Sequence, residues 1–312
     1  MRTAPHSRLI RLTYLAIVCA GCTTAVEQPG ESPEPSNPPI ELAFGTDDTF
    51  DIITWNIESF PKVADQTPAY LAQVLEALEP DVVAIQEVWS PQHLQWVADR
   101  LDGFELHIAA NDPESGLAFL VNTHHVDILE APQAIYVEES YDFGYRGPVV
   151  LPVRYKEQTL HLINLHYKCC GDNVMGTDWW DEEYRRLQAT RLLKTYLDDT
   201  LSEQAIIALG DWNDELLDPE ESNVFWPLIE DSSHYTFVDT PLAQSSSVRD
   251  WSFQSYPSHI DHILINQPLF EAFEKSQTHI ETILVDDALP DGAWEFYTYL
   301  SDHHPVGLRL PL

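Results

Sequence analysis

The segment that most constrains this chain is an apolar run that ends in a Gly-Asp turn. Residues 205–209 have the length and composition of a buried strand, and Gly210-Asp211-Trp212-Asn213-Asp214 follows directly. Side chains two positions apart in an extended segment point to the same side, so we expect Asp211 and Asn213 to converge at the strand end. A carboxylate there can take a proton from water or bind a cation, and an amide can donate to a phosphate oxygen. A Gly-Asp pair after an apolar strand is also a common turn, so other segments of the chain must show whether Asp211 and Asn213 have a function.

Apolar runs and amphipathic stretches alternate along the chain after about residue 47. We predict strands at 50–55, 82–85, 117–121, 149–155, 159–165, 205–209, 260–265 and 306–310, and helices at 69–78, 93–101 and 181–197. A hairpin turn at 156–158 joins two of these strands. Because polar residues concentrate at strand ends, the pattern indicates an α/β domain whose site lies along one sheet edge.

The N-terminus has the composition of an export signal. Three arginines precede an apolar run at residues 12–20, which is too short to span a bilayer. The run ends in Gly21-Cys22, which resembles the lipobox of bacterial lipoproteins and makes Cys22 a candidate for lipidation. Cys19 stands where that pattern usually has leucine, and plain secretion is the alternative.

A tether follows the signal. It contains five prolines among Glu, Ser and Asn and has no hydrophobic period. We therefore divide the chain into an export signal at 1–21, a tether at 22–46 and one catalytic domain at 47–312. This division predicts an exported protein of the cell envelope, lipid-anchored to a membrane or otherwise periplasmic or secreted.

The charge composition limits the classes of partner. The chain carries 51 acidic and 16 basic residues, a formal net charge of −35. Such a field repels polyanions and opposes tight non-specific binding to nucleic acid. Only 13 Lys and Arg follow residue 21 and they form no basic stripe, although Arg146, Arg185 and Arg186 could supply a local patch. A site that handles phosphate must therefore be local, and we expect a metal ion to assist it.

Further polar groups lie at or near the ends of predicted strands. In chain order they are Asn56, Glu87, His166, Asp261 and the pair Asp302-His303. Each has a structural alternative, because a strand-end Asn commonly caps a turn, a strand-end Glu is commonly solvated and Ser-Asp-His can be only a turn. Together with Asp211 they form an ordered set of six, and that order is specific.

The stretches that carry this set resemble the motifs of the endonuclease/exonuclease/phosphatase superfamily. They are Thr54-Trp55-Asn56-Ile57, Ile85-Gln86-Glu87-Val88, Asn164-Leu165-His166, Leu209-Gly210-Asp211-Trp212-Asn213-Asp214, Ile260-Asp261-His262-Ile263 and Ser301-Asp302-His303-His304-Pro305-Val306, with weaker echoes in Arg146-Gly147-Pro148 and Arg186-Leu187-Gln188-Ala189. The resemblance extends from about residue 50 to the C-terminus. It implies a four-layer α/β sandwich of two packed mixed sheets flanked by helices, with the site at one end of the sheets.

The resemblance also implies a metal site. Glu87 would be the principal ligand of a divalent cation, normally Mg²⁺ or another such as Mn²⁺, with help from Asn56 and Asp302. Carboxylate and amide oxygens are ligands that Mg²⁺ accepts. The ion would polarise a phosphoryl oxygen and offset charge at the leaving oxygen.

The remaining motif residues would carry out the reaction. His303, oriented by Asp261, would act as general base or polarise the phosphate, and Asp211 is the other candidate for activating water. Asn213 and His166 would donate to the non-bridging oxygens, where charge develops. The choice between His303 and Asp211 stays open.

The function implied is metal-dependent hydrolysis of a phosphodiester or phosphomonoester by in-line attack of water. Arg146 and Asn164 are candidate substrate-binding residues, and we expect a monomer. Nucleic acid, a phospholipid and a small phosphoester are the possible substrates. The scarcity of Lys and Arg makes nucleic acid the less favoured of these. The alternative is a catalytically silent surface-binding lipoprotein on the same fold, which would have lost motif residues.

Two pairs beyond the motifs also bear on the site. Cys169 and Cys170 favour a disulfide in an exported protein, with free thiols or a soft-metal site as alternatives. Trp179 and Trp180 could stack on a ring of the substrate, enter a lipid interface or pack against the helix that follows.

Overall fold

The computed structural model describes residues 40–312. Its strands are β1 (Phe50–Phe60), β2 (Val82–Val88), β3 (Phe104–His107), β4 (Ala118–Asn122), β5 (Val126–Ile128), β6 (Gln133–Ala134), β7 (Val149–Tyr155), β8 (Gln158–His166), β9 (Ala205–Asp211), β10 (Tyr235–Phe237), β11 (Asp261–Asn266), β12 (His279–Thr282) and β13 (Val306–Leu310). The α-helices are α1 (Gln66–Leu78), α2 (Pro91–Ala98), α3 (Glu182–Thr200), α4 (Trp226–Ile229), α5 (Thr240–Ala243), α6 (Phe270–Phe273) and α7 (Ala293–Tyr299). Within residues 40–312, no helix combines the length and the hydropathy that crossing a membrane requires.

The strands form two mixed sheets. The first has the order β12-β13-β1-β2-β4-β3, and the second has the order β10-β11-β9-β8-β7-β5, with β6 also paired to β7. β1 and β2 run parallel, as do β8 and β9, whereas the other pairs are antiparallel. Each sheet therefore has one parallel pair near its centre, and both of those pairs reach the site.

Successive side chains of each central strand point to opposite faces of the sheet, and each face is covered by a separate core. In β1, Ile52 lies in the core between the two sheets and Ile53 in the core under α1. In β9, Ile207 lies in the central core and Ile206 in the core under α3. Strands buried on both faces read as continuous apolar runs, which is the pattern in the sequence. The predicted four-layer α/β sandwich is confirmed.

The packed domain begins earlier than the sequence indicated. Residues 40–46 were assigned to the tether, but Phe44 is buried against the core under α1, and the backbone N–H of Gly45 donates to the carbonyl of Leu78 over 2.7 Å. The apolar residues at the end of this segment are the physical reason for the correction, since Ile40 and Leu42 pack against the same core as Phe44. The predicted export signal, Cys22 and most of the tether lie outside the described residues and stay predictions.

Candidate active site

Three strands bring three polar side chains together at one end of the second sheet. The parallel register of β8 and β9 sets His166 opposite Asp211, and the antiparallel β11 sets Asp261 opposite the same residue. All three side chains are buried. Gly210 permits this pairing, because a Cβ there would collide with the carbonyl oxygen of Leu165. The glycine of the Gly-Asp pair is therefore required by the sheet itself.

Asp211 accepts hydrogen bonds from two residues predicted for the site. The backbone N–H of Asn213 donates to its Oδ1 over 2.9 Å, and Nδ2 of Asn56 donates to its Oδ2 over 2.9 Å. The Nε2 atoms of His166 and His303 lie 3.4 and 3.9 Å from Oδ2. Burial, and then the charge of Asp261, raise the pKa of Asp211 to about 7, against the opposing effects of His303 and the two hydrogen bonds.

His303 reaches this group from the first sheet. Its Nδ1 lies 2.7 Å from Oδ2 of Asp261, and the ring of Phe253 stacks on it at 4.6 Å between centroids. Burial alone would lower the pKa of His303, but the charge and hydrogen bond of Asp261, followed by the charges of Asp211 and Asp302, raise it to about 10. The ring is therefore an imidazolium at neutral pH.

The turn that carries His303 is fixed to β1. Oγ of Ser301 donates to the carbonyl oxygen of Asn56 over 2.6 Å and accepts from the backbone N–H of His303 over 3.0 Å. Nε1 of Trp55 donates to the carbonyl oxygen of His303 over 2.8 Å. The Ser-Asp-His segment is thus a rigid link between the two sheets.

Carboxylates gather at the end of β1 and β2. The backbone N–H of Ser59 donates to Oε2 of Glu87 over 2.8 Å. Glu58 is half-buried and forms an ion pair with Lys62. Burial raises the pKa of Glu58, and the charges of Asp302 and Glu87 add to that rise, so these three carboxylates lie close enough to repel one another. Sequence reasoning missed Glu58, because the strand is irregular between Asn56 and Phe60 and Glu58 has a positive φ of 41°, so simple alternation along the strand could not place it.

The oxygen donors of this set are of the kind that a hard divalent cation accepts, although one oxygen from each of the three carboxylates does not come within 4.8 Å of the other two, as the ligand atoms of Asp211, Asp261 and His303 do. Glu58, Glu87 and Asp302 offer oxygen atoms, and a bound cation would offset their mutual repulsion. Asn56 lies beside this set. Its Nδ2 faces Oε1 of Glu87 at 3.3 Å, as well as Asp211, while its Oδ1 accepts from the backbone N–H of Glu58. In this structure Asn56 therefore donates to two carboxylates, and its role as a metal ligand stays a prediction.

The position of Asn164 contradicts the substrate-binding role predicted for it. Its Nδ2 donates to the carbonyl oxygens of Ile85 and Ala118, each over 2.9 Å, and its Oδ1 accepts from Nε2 of Gln86 over 2.8 Å. The side chain is fully buried and joins the two sheets. All its polar groups are occupied by the fold, so it is not a substrate-binding residue.

Arg146 and His166 remain available to an anion. Arg146 donates to the carbonyl oxygens of His166 and Tyr167 over 3.3 and 3.2 Å, and within residues 40–312 it forms no ion pair. Burial lowers its pKa, against the charges of Asp211 and Glu87. Burial also lowers the pKa of His166 well below its ordinary value, helped by the charge of Arg146, so His166 is neutral. In the described part of the chain its Nδ1 has no hydrogen-bond partner.

Asn213 is the last of the predicted donors. It is half-buried and has a positive φ of 55°, a conformation that Asn tolerates better than most residues. Its Nδ2 donates to the carbonyl oxygen of Tyr167 over 3.2 Å. This bond uses one of the two amide N–H groups and leaves the other free for a substrate oxygen.

The disulfide expected between Cys169 and Cys170 is not formed. Both are free thiols, with their Sγ atoms 2.9 Å apart. Nη1 of Arg186 instead holds this loop by donating to the carbonyl oxygens of Lys168 and Cys170 over 2.9 and 2.5 Å, while its Nε donates to Asp214 over 2.7 Å. A buried guanidinium therefore holds this loop without a covalent link between the two cysteines.

A second buried group of Asp and His lies nearby and was not predicted. Oδ2 of Asp239 faces Nε2 of His259 at 3.0 Å and Nδ1 of His262 at 2.6 Å, and its Oδ1 accepts from the backbone N–H of Ile263. Nε2 of His262 donates to the carbonyl oxygen of Asp214 over 2.9 Å. Both ring nitrogens of His262 are thus donors, so the ring is an imidazolium paired with Asp239.

The chain matches the model of the endonuclease/exonuclease/phosphatase family over residues 53–303. No curated protein sequence matches it. D. rerio TDP2 complexed with a single-strand DNA product aligns with a TM-score of 0.63 at 18% identity, covering 85% of this chain and 100% of that one. The endonuclease/exonuclease/phosphatase from Bacteroides vulgatus aligns with a TM-score of 0.58 at 14% identity, covering 85% and 99%. The human Nocturnin catalytic domain with a bound sulfate anion aligns with a TM-score of 0.54 at 15% identity, covering 84% and 94%. At such identities these structures establish a common fold.

Proposed function

Because the chain belongs to the endonuclease/exonuclease/phosphatase family, we propose that it hydrolyses phosphoester bonds by direct attack of water, assisted by a divalent cation. The observation that carries the proposal is the meeting of Asp211, His303 and Glu87 at one end of the two sheets. It joins a carboxylate poised to take a proton, a buried cation and a group of metal-compatible oxygens.

Asp211 is the group best suited to activate water. A general base works best with a pKa near the operating pH, and burial raises the pKa of Asp211 to about 7. The hydrogen bonds from Asn56 and Asn213 fix the carboxylate in one orientation. His303 is protonated over the same pH range, so it cannot accept the proton.

His303 instead suits the stabilisation of developing negative charge. Asp261 holds its ring in place and keeps it charged, and its Nε2 is directed towards the end of the sheet where Asp211 lies. Arg146 and the neutral His166 are further donors near Asp211. Fixed donors in a buried site stabilise a transition-state oxyanion more than they would in water.

A divalent cation would be held by Glu87, Glu58 and Asp302. When bound, it would polarise a phosphoryl oxygen and offset charge on the leaving oxygen. The cation would also offset the charges of Asp302 and Glu87, which add to the effect of burial on the pKa of Glu58. Mg²⁺ and Mn²⁺ both accept such oxygen ligands.

We extend the proposal to substrate size and location. The net charge of −35 opposes extended contact with a polynucleotide, which favours a small phosphodiester over duplex DNA. Residues 1–46 support an exported protein tethered at Cys22 to a membrane of the cell envelope. Both statements rest on the sequence.

The test is hydrolysis by the purified protein at low salt with Mg²⁺. Bis-p-nitrophenyl phosphate and supercoiled plasmid would be assayed side by side, with EDTA and Asp211→Asn as controls. Asp127→Asn is the matched control substitution, because Asp127 is exposed and forms only a surface ion pair with Arg154. We expect EDTA-sensitive release of p-nitrophenol that Asp211→Asn abolishes and Asp127→Asn retains.

The outcomes separate the alternatives. Cleavage of the small diester with intact plasmid would support the small-substrate proposal, whereas rapid EDTA-sensitive nicking would identify a nuclease. A folded protein that binds phosphate esters without cleaving any of them would support the silent surface-binding lipoprotein and contradict the enzymatic proposal.

A further inference from the structure

Four aromatic side chains form a connected surface cluster on two loops near the candidate site. We call Tyr141, Tyr145, Trp179 and Trp180 the aromatic platform. Ring centroids lie 5.5 Å apart for Tyr141–Tyr145, 5.3 Å for Tyr141–Trp179 and 5.6 Å for Trp179–Trp180. Tyr145, Trp179 and Trp180 are 68%, 63% and 57% exposed. Packing of the two tryptophans against α3, one of the possibilities weighed from the sequence, does not account for such exposure.

An arginine with no ion pair supports the platform. The guanidinium of Arg185 lies 3.9 Å above the ring of Tyr141 and 5.6 Å from that of Tyr145, and it donates to the carbonyl oxygen of Tyr141. Within the described residues Arg185 pairs with no carboxylate, although the chain has 51 of them. Arg185 is itself buried, so this unpaired positive charge acts on a nearby anion through its field rather than by direct contact.

The platform is continuous with the candidate active site. Tyr145 directly precedes Arg146, whose guanidinium lies against the backbone of His166. Arg146 is close enough to Asp211 on one side and to Arg185 on the other for both charges to affect its pKa. A substrate with its phosphate among Asp211, His166 and Arg146 would therefore extend towards the exposed rings.

We propose that the aromatic platform is a binding subsite for a planar aromatic ring carried on the phosphoester substrate, such as a nucleobase or an aryl group. This inference rests on the proposed function, because it assigns the substrate class to the same site. The ring stacks on Trp179 and Trp180, and the charge of the nearby Arg185 adds to the attraction of the phosphate held at Arg146. Stacking of a base on an aromatic side chain tolerates many ring types, which suits a small aromatic phosphoester.

Charge distinguishes this ligand from two others that aromatic side chains bind. A quaternary ammonium group needs open ring faces and no nearby cation, but Arg185 already covers Tyr141 and would repel it. A lipid surface would bring phosphate headgroups against Asp178, Asp181 and Glu182, which flank the two tryptophans. A neutral ring next to a phosphate meets neither penalty.

The test measures binding, so that it does not depend on turnover. Isothermal titration calorimetry would compare thymidine 5′-phosphate, phenyl phosphate and methyl phosphate, with Mg²⁺, on the Asp211→Asn protein. Trp179→Ala/Trp180→Ala removes two platform rings, and Trp179→Phe/Trp180→Phe retains aromatic faces. Trp294→Ala is the matched control, since Trp294 is 61% exposed and lies outside the platform.

We expect the double alanine variant to weaken binding of the ring-bearing phosphates about tenfold relative to methyl phosphate, in keeping with the loss of one stacking contact. The double phenylalanine variant should recover most of that difference, and Trp294→Ala should show none. A larger effect on thymidine 5′-phosphate would identify a nucleobase as the ring, and a larger effect on phenyl phosphate would identify an aryl group.

Three results would overturn the inference. Equal weakening for all three phosphates would show that the tryptophans only support the loop. No weakening for any phosphate would show that the rings do not touch the ligand. Loss of binding to phosphatidylcholine vesicles, with ring discrimination unchanged, would make the platform a membrane contact. Ring discrimination in a protein whose wild type hydrolyses no phosphoester would leave the subsite in place and remove the proposed function.

Discussion

Two buried groups of aspartate and histidine lie on opposite sides of β11, and they differ in how many of their polar atoms have partners. Asp261 and His262 are consecutive, so their side chains point to opposite faces. On the His262 side, the carboxylate oxygens of Asp239 and both nitrogens of His262 are hydrogen-bonded. On the Asp261 side, Oδ1 of Asp261 and Nδ1 of His166 have no partner within residues 40–312.

The carboxylates in the two groups also titrate in opposite directions. Burial would raise the pKa of Asp239, but the charge of His262 and the hydrogen bonds from both histidines lower it overall. Burial and a neighbouring acid raise the pKa of Asp211. A network that satisfies all its atoms stabilises the fold, whereas one that leaves atoms unpaired and a carboxyl near pH 7 is available for chemistry.

The largest expected effect is on catalysis at Asp211. Asp211→Asn should lower kcat on bis-p-nitrophenyl phosphate by about 10²–10⁴-fold, the usual contribution of a general base. The free energy of unfolding at pH 8 should stay the same or rise, because the ionised carboxylate is disfavoured by burial. Steady-state kinetics and urea unfolding check the two parts. A variant that is unstable and fully active per folded molecule would reverse the assignment.

The next largest effect is on stability at Asp239. Asp239→Asn leaves the buried His262 without its counter-charge and should lower the free energy of unfolding by about 3–5 kcal/mol. Asp127→Asn, which breaks an exposed pair, should cost less than about 1 kcal/mol. Urea denaturation measures both. A loss at Asp239 no larger than the loss at Asp127 would show that the paired group does not stabilise the fold.

A smaller loss is expected at Asn164. Asn164→Ala removes the side-chain donor to two carbonyl oxygens and one of the three acceptors of Nε2 of Gln86, which should cost about 1–3 kcal/mol of unfolding free energy. The KM for the diester should change less than about twofold, since the side chain does not reach the substrate. A tenfold higher KM at unchanged stability would restore the substrate-binding role that the sequence suggested.

The smallest expected effect is the pH dependence of the stability that the Asp239–His262 pair provides. The folded-state pKa of Asp239 is lowered, so its stabilisation is present above the unfolded value of about 4 and is lost as the pH falls. Burial alone would lower the pKa of His262, but Asp239 raises it overall, so its stabilisation is present below about 6.5 and is lost as the pH rises. The difference in unfolding free energy between wild type and Asp239→Asn should therefore be greatest between about pH 4 and 6.5. Urea titrations from pH 3 to 9 measure it, and a difference that keeps growing to pH 9 would contradict this sign.

The sequence predicted the buried strands well and the edge strands poorly. Continuous apolar runs identified β2, β4 and β9, because strands covered on both faces contain little else. β3 and β12 were missed, since Phe104–His107 and His279–Thr282 mix polar and apolar residues and lie at the edges of their sheet. The second helix, predicted at 93–101, begins at Pro91, because proline fits the first turn of a helix. It ends at Ala98.

The order of motifs predicted which site residues belong together, but not how they are oriented. Asp261 and His303 are 42 residues apart and come from different sheets, so no local pattern could give their 2.7 Å contact. The substrate-binding role predicted for Asn164 was wrong, because a polar residue near a strand end has the same local sequence whether it faces a substrate or the other sheet. Asp239 was missed because its partners, His259 and His262, are defined only by the fold.

The most direct test of this account compares one aspartate from each group in a single assay. Mg²⁺-dependent release of p-nitrophenol from bis-p-nitrophenyl phosphate would be measured for wild type, Asp211→Asn and Asp239→Asn, with each rate divided by the folded fraction. We predict that Asp239→Asn retains the wild-type rate per folded molecule, whereas Asp211→Asn loses at least about 10²-fold. Equal losses in the two variants, or an Asp211→Asn protein with the wild-type rate, would contradict the assignment of catalysis to the group of Asp211, Asp261, His166 and His303.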